Sequence, residues 1–325
     1  MDSSSVIASA RADVAEVAPF EAEIRSAPIA TGRDTCLAMD TRVHTSMLRS
    51  YRSERERAAF EAAASSEAPL FTQRLRHAAM NERGVMHWVN KECNISYSRS
   101  MSTLYHQSLL VARSLLCDLK AVPGSRIIIC YPFGLDVVPA IFGCFLAGVV
   151  AVPVFPPDPH NMKKALSKLA LIVSDCGAQL ALSTAGYIKS ITLQKLASLQ
   201  FSWPKLKWYA TDTRSHATAA STRFSVKDLE DELRALLATG GECYAPPGDS
   251  MAMLQYTSGS TSNPKGVVIT HSMFAYNCIM PNTVVSPVVK EPRMFVWLPV
   301  SLARSHRLYF VFGSCFSNSH LSGVP

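Results

Sequence analysis

The residues with the clearest chemical character lie in segment 254–271, which reads LQYTSGSTSNPKGVVITH. Hydroxyl residues, two glycines and one lysine follow one another closely there: Thr257, Ser258, Gly259, Ser260, Thr261, Ser262, Lys265 and Gly266. Hydroxyls and backbone N–H groups donate hydrogen bonds to phosphate oxygens, and an ammonium group balances their negative charge. Glycine admits backbone conformations that other residues avoid. The segment therefore predicts a loop that binds a polyphosphate.

The spacing of these residues differs from that of better-known phosphate-binding loops. A Walker loop has glycine, four residues and then Gly-Lys-Ser/Thr, whereas here Lys265 precedes its glycine and Pro264 is the fifth residue after Gly259. The dinucleotide pattern G-x-G-x-x-G is also absent from the segment. A serine-rich linker is the structural alternative, but linkers are polar on both sides, and this loop lies between the apolar runs MAMLQY and VVIT. We therefore expect a loop that joins two strands. Tyr256 and Trp297 are expected to be core aromatics, and His271 is expected to be a structural residue at a strand end.

Residues 256–266 resemble the nucleotide signature of the acyl-adenylate-forming, or AMP-binding, superfamily. Residues 131–159, YPFGLDVVPAIFGCFLAGVVAVPVFPPDP, are similar to an early region of the same superfamily, and residues 166–184 continue the similarity. The Pro-Phe-Gly-Leu-Asp start and the proline-rich end of that region are closest to the fatty-acyl-AMP ligase and long-chain acyl-CoA synthetase branches. The resemblance covers about residues 70–299.

The resemblance implies a reaction in which ATP activates a carboxylic acid, here a fatty acid, to acyl-AMP. A thiol of CoA or of an acyl carrier protein then takes the acyl group. ATP and Mg²⁺ are the implied cofactors, and the eight residues named above are implied to bind the nucleotide. The loop hydroxyls would hold the β- and γ-phosphates, the glycines would let the backbone close around them, and Lys265 would offset charge on the pyrophosphate leaving group. Ser262 stands where the family more often has glycine.

The resemblance ends near Val300. The family also needs an aromatic-Gly-x-Thr-Glu segment for adenine and magnesium, a Thr-Gly-Asp aspartate for the ribose and a carboxy-terminal lysine. None of these follows the loop, so no catalytic residue is identified. The resulting prediction is a mobile leader over residues 1–50, a partial adenylation domain over 51–299 and an unrelated tail over 300–325, in an amino-terminal fragment that is inactive alone. Two alternatives stay open: a non-catalytic truncated isoform or gene-model fragment with weak nucleotide binding, and an amino-acid-activating domain.

Strand and helix patterns alternate along the part of the chain that carries the resemblance. The continuous apolar runs RIIICY and VVAVPVF are typical of strands covered on both faces. Helical patterns are predicted within residues 51–68 and over residues 71–82, 103–119, 135–147, 161–175, 190–199 and 229–238, and MFVWLP, residues 294–299, is predicted to be a strand. The predicted fold class is α/β. We expect an incomplete adenylate-forming amino-terminal domain with two mostly parallel sheets flanked by helices, in units near residues 70–200 and 250–299.

The charge distribution limits the partners. The formal net charge is +7, and residues 1–90 hold 11 arginines, no lysine and 12 acidic residues, so the basic excess lies in the remainder of the chain. A modest basic excess suits anionic small molecules. It is too diffuse for a nucleic-acid interface, and no base-stacking motif accompanies it.

Other features of the sequence concern location and metals. The nine cysteines form no C-x-x-C pair, which predicts reduced thiols and no zinc site. The start of the chain lacks the apolar core of a secretory signal, so we expect a cytoplasmic protein. Residues 137–154 form an uncharged stretch of 18 residues that Pro139, Gly143, Gly148 and Pro153 interrupt. A buried helix followed by a buried strand is therefore expected rather than a membrane span.

Overall fold

The computed structural model of the chain describes residues 71–81, 84–90, 94–157, 162–197, 203–212, 224–237, 246–257 and 264–275. All of them lie within the compact unit Ser50–Pro325. The helices are α1 (Phe71–Met80), α2 (Met101–Arg113), α3 (Val137–Leu146), α4 (Met162–Cys176), α5 (Ala185–Ala197) and α6 (Val226–Leu237). The strands are β1 (Val85–Val89), β2 (Ile95–Ser100), β3 (Arg126–Ile129), β4 (Val150–Pro153), β5 (Leu180–Ser183), β6 (Lys207–Ala210), β7 (Met251–Thr257) and β8 (Lys265–Thr270).

Six strands form one sheet in the order β6-β5-β3-β4-β7-β8, and β1 and β2 form a separate antiparallel pair. Every neighbouring pair in the large sheet is parallel except β7 and β8. The predicted α/β class is confirmed. The expected separation into two mostly parallel sheets is wrong for the described residues, because β7 pairs with β4 through Met253 and Ala151 and so extends the first sheet.

The central strands are buried on both faces. Consecutive strand residues point to opposite sides of a sheet, so a strand covered by helices on both sides needs apolar residues at every position. Ile129 belongs to the same apolar cluster as Phe142 of α3, whereas Ile128 belongs to the cluster that contains Leu169 of α4. Helices α3 and α4 therefore lie on opposite faces of the sheet.

The order of the strands creates a switch point between β3 and β4. The chain passes from β3 to β4 on one side and then crosses back to β5 on the other side of β3. In doubly wound sheets, ligands bind in the crevice outside the carboxyl ends of the strands at such a point. The loop after β3, the loop after β4 and the loop after β7 all leave the sheet at this carboxyl edge.

The uncharged stretch 137–154 folds as expected into a helix and a strand, α3 and β4, and almost all of it is buried. Helix α3 packs very closely on α2 at Gly143. A Cβ atom there would lie 2.6 Å from Cγ1 of Val111 and 3.0 Å from the carbonyl oxygen of Ser108. Among the described helices, none is long and apolar enough to cross a bilayer.

Several elements differ in detail from the sequence-based expectations. Strand β6 was not predicted, α5 begins at Ala185 rather than at Ser190, and α2 continues into a wider π-helical segment, Ser114–Asp118. The expected helix within residues 51–68 and the expected strand MFVWLP near residue 296 lie outside the described residues.

Candidate functional site

The β7–β8 hairpin carries the two ends of the phosphate-binding segment. Thr257 and Lys265 face each other as the last paired residues of the two strands, and both are exposed. The expectation that the loop joins two strands is confirmed. Because β7 runs parallel to β4, the loop emerges at the carboxyl edge of the sheet, beside the switch point. Thr257 and Lys265 are therefore placed where an anion can approach from solvent.

The remaining hydroxyls of the segment and its first glycine lie outside the described residues. They are Ser258, Gly259, Ser260, Thr261 and Ser262. Their predicted roles stay predictions. The structure brings together Thr257, Lys265 and Gly266 of the eight predicted residues.

Gly266 is needed for a different reason from the one that the sequence indicated. It does not adopt a positive φ, so it uses no backbone conformation reserved for glycine. It lies opposite Tyr256 in the hairpin, and a Cβ atom on it would come within 3.2 Å of Cζ of Tyr256 and 3.1 Å of Cδ1 of Leu254. The glycine leaves room for these two side chains, and the predicted special backbone conformation is wrong for this position.

Tyr256 fixes the strand that leads into the loop. Its ring is buried, and its hydroxyl donates a hydrogen bond to Oδ2 of Asp175 on α4. Burial, reinforced by the bond to Asp175, raises the pKa of the phenol well above its usual value. The hydroxyl therefore stays protonated and keeps donating. The expectation that Tyr256 is a core aromatic is confirmed, whereas Trp297, expected to be one too, lies outside the described residues.

His271 anchors the other end of the hairpin. Its side chain is 1% exposed, and its ring contacts Phe145 edge-on with centroids 5.4 Å apart. Burial lowers the pKa of His271 from 6.5 to about 4, so the imidazole is neutral near pH 7. Its place against the core supports the structural role expected from the sequence.

Two exposed aromatic side chains lie at the same edge of the sheet. Phe133 follows β3 and is 64% exposed, and Phe155 follows β4 and is 41% exposed. Their ring centroids are 6.3 Å apart in an edge-to-face arrangement. No local pattern in the sequence marks this pair, because only the pairing of β3 with β4 brings residues so far apart in the chain into contact.

Hydrogen bonds hold the neighbouring strand ends together. The hydroxyl of Tyr131, after β3, lies 2.7 Å from Oγ1 of Thr211, after β6. Asp212 accepts a hydrogen bond of 2.6 Å from the backbone N–H of Ala185 at the start of α5. Burial raises the pKa of Tyr131 above its usual value. These contacts give the carboxyl edge a fixed shape on the side away from the hairpin.

The described residues offer no set of ligands for a metal ion. Within this part of the chain, no three histidine, cysteine, aspartate or glutamate side chains come close enough to bind one ion. Within these residues, therefore, no preformed set of such ligands awaits the magnesium ion that the resemblance implies. Thr257 and Lys265 do suit a nucleotide phosphate, since they present a hydroxyl and an ammonium group at an exposed edge.

Residues 76–318 match the family described as AMP-binding enzyme. The chain belongs to the AMP-binding enzyme family. The match includes residues 300–318, which the sequence analysis separated from the family, so the predicted boundary at Val300 stays a prediction.

Two curated relatives illustrate the range of similar AMP-binding enzymes. A medium-chain-fatty-acid–acyl-carrier-protein ligase of Moorena producens is 34% identical over 155 residues, which are 48% of this chain and 23% of that protein. A long-chain-fatty-acid–AMP ligase of Mycobacterium tuberculosis is 27% identical over 254 residues, which are 68% of this chain and 39% of that protein. The chain thus spans well under half the length of these relatives.

A solved structure supports the fold of the AMP-binding domain. The fatty acyl-adenylate ligase of L. pneumophila, determined with acyl adenylate and pyrophosphate, superimposes with a TM-score of 0.53 at 22% identity. The superposition covers 77% of this chain and 38% of that protein. At this level of identity the similarity concerns the fold alone.

Proposed function

We propose that this AMP-binding chain serves the ATP-dependent activation of a carboxylic acid, with a fatty acid as the substrate. A carboxylate oxygen attacks the α-phosphorus of ATP, the bond from that phosphorus to the bridging oxygen breaks, and pyrophosphate leaves. The acyl-AMP then passes its acyl group to a thiol of CoA or of a carrier protein, and AMP leaves. One observation carries the proposal: Thr257 and Lys265 are paired and exposed at the carboxyl edge, beside the switch point.

The chemistry asks the protein for position and charge. Reactions at phosphorus depend on holding the reacting groups in line and on stabilising the charge that develops on the leaving group. Lys265 provides a positive charge at the end of the hairpin, where the pyrophosphate would lie, and Thr257 provides a hydroxyl across from it. The other loop hydroxyls are proposed to hold the β- and γ-phosphates with them.

The choice of a fatty acid is supported by an apolar surface near the loop. Phe133 and Phe155 are exposed at the same edge, where a hydrocarbon chain would bury aromatic surface. The relatives named above are ligases of medium-chain and long-chain fatty acids. The choice between CoA and a carrier protein as acceptor stays open within the proposal.

The proposal is tested by ATP titration of the wild-type chain and of Lys265→Ala. Loss of one charged contact to phosphate is expected to raise the Kd for ATP about 10- to 100-fold. The matched control is Lys207→Ala, since Lys207 is also an exposed lysine at the start of an edge strand, β6, at the opposite side of the sheet. Equal ATP affinity in the wild type and Lys265→Ala would identify Lys265 as a solvated turn residue and remove the basis of the proposal.

ATP–pyrophosphate exchange separates the possible functions. Exchange that depends on added fatty acids supports the proposed ligase. ATP binding by this chain without exchange for any acid would agree both with the predicted inactivity of the fragment and with the non-catalytic alternative, and exchange with amino acids alone would favour the amino-acid-activating one.

A further inference from the structure

The β1–β2 hairpin holds the loop that follows β3. The backbone N–H of Leu135 donates a hydrogen bond of 3.0 Å to the hydroxyl of Tyr97 on β2. Two residues further along β2, Arg99 donates from Nη2 to Oδ1 of Asp136 at 2.5 Å. Tyr97 and Arg99, which lie two positions apart on β2, thus form hydrogen bonds with two consecutive residues of loop 131–136.

A third contact involves the glycine of the same loop. A Cβ atom on Gly134 would lie 3.0 Å from the hydroxyl of Tyr97, and Gly134 has no positive φ. A methyl group at this position would therefore crowd the tyrosine hydroxyl, and the hydroxyl or the loop would have to move by a few tenths of an ångström. The glycine lets loop 131–136 lie this close to Tyr97.

The side chains of Tyr97 and Arg99 also contact each other. The guanidinium carbon of Arg99 lies 5.8 Å from the centroid of the Tyr97 ring. The side chains of Arg99 and Asp136 are 20% and 34% exposed, so water screens their ion pair only in part. A two-stranded sheet gains little stability by itself. The hairpin and the loop therefore stabilise each other through these polar contacts.

The loop that is held in this way carries Phe133 to the edge of the sheet. The preceding residue pairs of β3 and β4 fix the start of the loop, and the hairpin fixes its end. Phe133 is thereby placed against Phe155. Strand β4 separates β3 from β7, so the loop after β3 and the phosphate-binding segment leave the sheet about 10 Å apart.

We propose that Tyr97 and Arg99 are positioning residues for the carboxylic-acid substrate. They hold loop 131–136 so that Phe133 and Phe155 form one apolar surface for its hydrocarbon chain. This inference rests on the proposed function for the identity of the ligand. The hydrogen bonds between β2 and loop 131–136 do not depend on that function. The positioning role and the proposed function can therefore be disproved separately.

The first test removes the tyrosine hydroxyl with Tyr97→Phe. Hydrogen exchange at the Leu135 amide, followed by NMR, is expected to accelerate because its acceptor is lost. Isothermal titration with dodecanoate is expected to show a Kd raised about two- to tenfold, while the Kd for ATP stays unchanged. The control is Tyr105→Phe, which removes a hydroxyl on α2 that donates to Glu230 on α6, outside both loop 131–136 and β2.

The second test uses the fit between Tyr97 and Gly134. Gly134→Ala alone is expected to weaken dodecanoate binding, because the new methyl group meets the hydroxyl and displaces the loop. In a Tyr97→Phe background the same substitution is expected to have a clearly smaller effect, since the hydroxyl is gone. Equal effects in the two backgrounds would show that the hydroxyl does not set the loop position.

The third test exchanges the charges of the ion pair. Arg99→Asp is expected to weaken dodecanoate binding, and the double variant Arg99→Asp with Asp136→Arg is expected to restore most of it. Faster exchange at Leu135 with unchanged dodecanoate binding, or an equal loss of ATP and dodecanoate affinity, would overturn the positioning role. If the wild type does not bind dodecanoate, both this role and the choice of a fatty acid in the proposed function are overturned. If the wild type binds dodecanoate and the variants bind it with the same Kd, the positioning role alone is overturned.

Discussion

The centre and the edge of the six-stranded sheet are built in opposite ways. The four residues of β4 and the four of β5 are all buried, whereas the first four residues of β8 are exposed. The central strands pair in parallel on both sides and are covered by helices on both faces, while β8 pairs on one side only within the described part of the chain. Packing is therefore concentrated at the centre of the sheet, and the residues proposed to bind phosphate lie at the exposed edge.

The edge strand itself changes character along its length. Its outer end holds Lys265 and the exposed Val267 and Val268, and its inner end holds Ile269, which is buried, followed by the buried His271. A lysine on an edge strand also opposes pairing with another chain. The hairpin is thus anchored at its inner end and exposed to solvent at its outer end.

The comparison is tested most strongly by removing a core side chain. Ile128 is fully buried, and its strand β3 lies between β4 and β5. Because Ile128→Ala leaves a cavity there, we expect it to lower the free energy of unfolding by about 2–5 kcal/mol. Val268→Ala, its control in β8, is expected to cost about 0.5 kcal/mol because much of its surface is already exposed. Urea unfolding of the three proteins provides the measurement. Equal losses in the two variants would contradict the distinction between centre and edge.

The same distinction explains which parts of the fold the sequence could predict. Runs such as RIII and VAVP are apolar at every position, so burial on both faces could be inferred from them directly. Strand β6, KWYA, is only half-buried and begins with an exposed lysine, so it lacks that signal. The merging of the two expected sheets depends on Ala151 and Met253, whose pairing is a tertiary contact that no local pattern contains.

The candidate site could be predicted in part for a similar reason. Thr257 and Lys265 belong to a dense local motif, and in the structure they lie opposite each other. The hydrogen bond from Leu135 to Tyr97 and the contact of Phe133 with Phe155 each join separate segments of the chain. None of these residues belongs to a local motif that would have singled it out. Such contacts follow from strand order, which the sequence alone did not reveal.

The pH dependence of unfolding tests the buried end of the hairpin. The folded-state pKa of His271 is about 4, below the ordinary 6.5, so at pH values under 6.5 the unfolded chain binds a proton that the folded chain does not. Stability is therefore expected to fall with decreasing pH by up to about 1.4 kcal/mol per pH unit, with the loss complete near pH 4. Above pH 6.5 the residue makes no pH-dependent contribution.

The contribution of His271 is isolated with His271→Leu. Urea unfolding of the wild type and the variant at pH 7 and pH 5 gives two differences, and the wild type is expected to lose up to about 2 kcal/mol more than the variant over this interval. Identical pH dependence in both proteins would mean that the imidazole is accessible to protons, and the inner end of the hairpin would then resemble the exposed outer end.

The smallest expected effect concerns the bond that links the two regions. Tyr256, in β7, donates to Asp175 on α4, so the stem of the loop is tied to a helix that packs on the centre of the sheet. Tyr256→Phe is expected to lower the free energy of unfolding by about 0.5–1.5 kcal/mol, because Asp175 is exposed and water replaces the lost donor. If the bond also orients the loop, the Kd for ATP rises, whereas Tyr187→Phe, which leaves the hairpin untouched, keeps the wild-type Kd. An unchanged ATP affinity in Tyr256→Phe would mean that strand pairing with β4 positions the loop without help from α4.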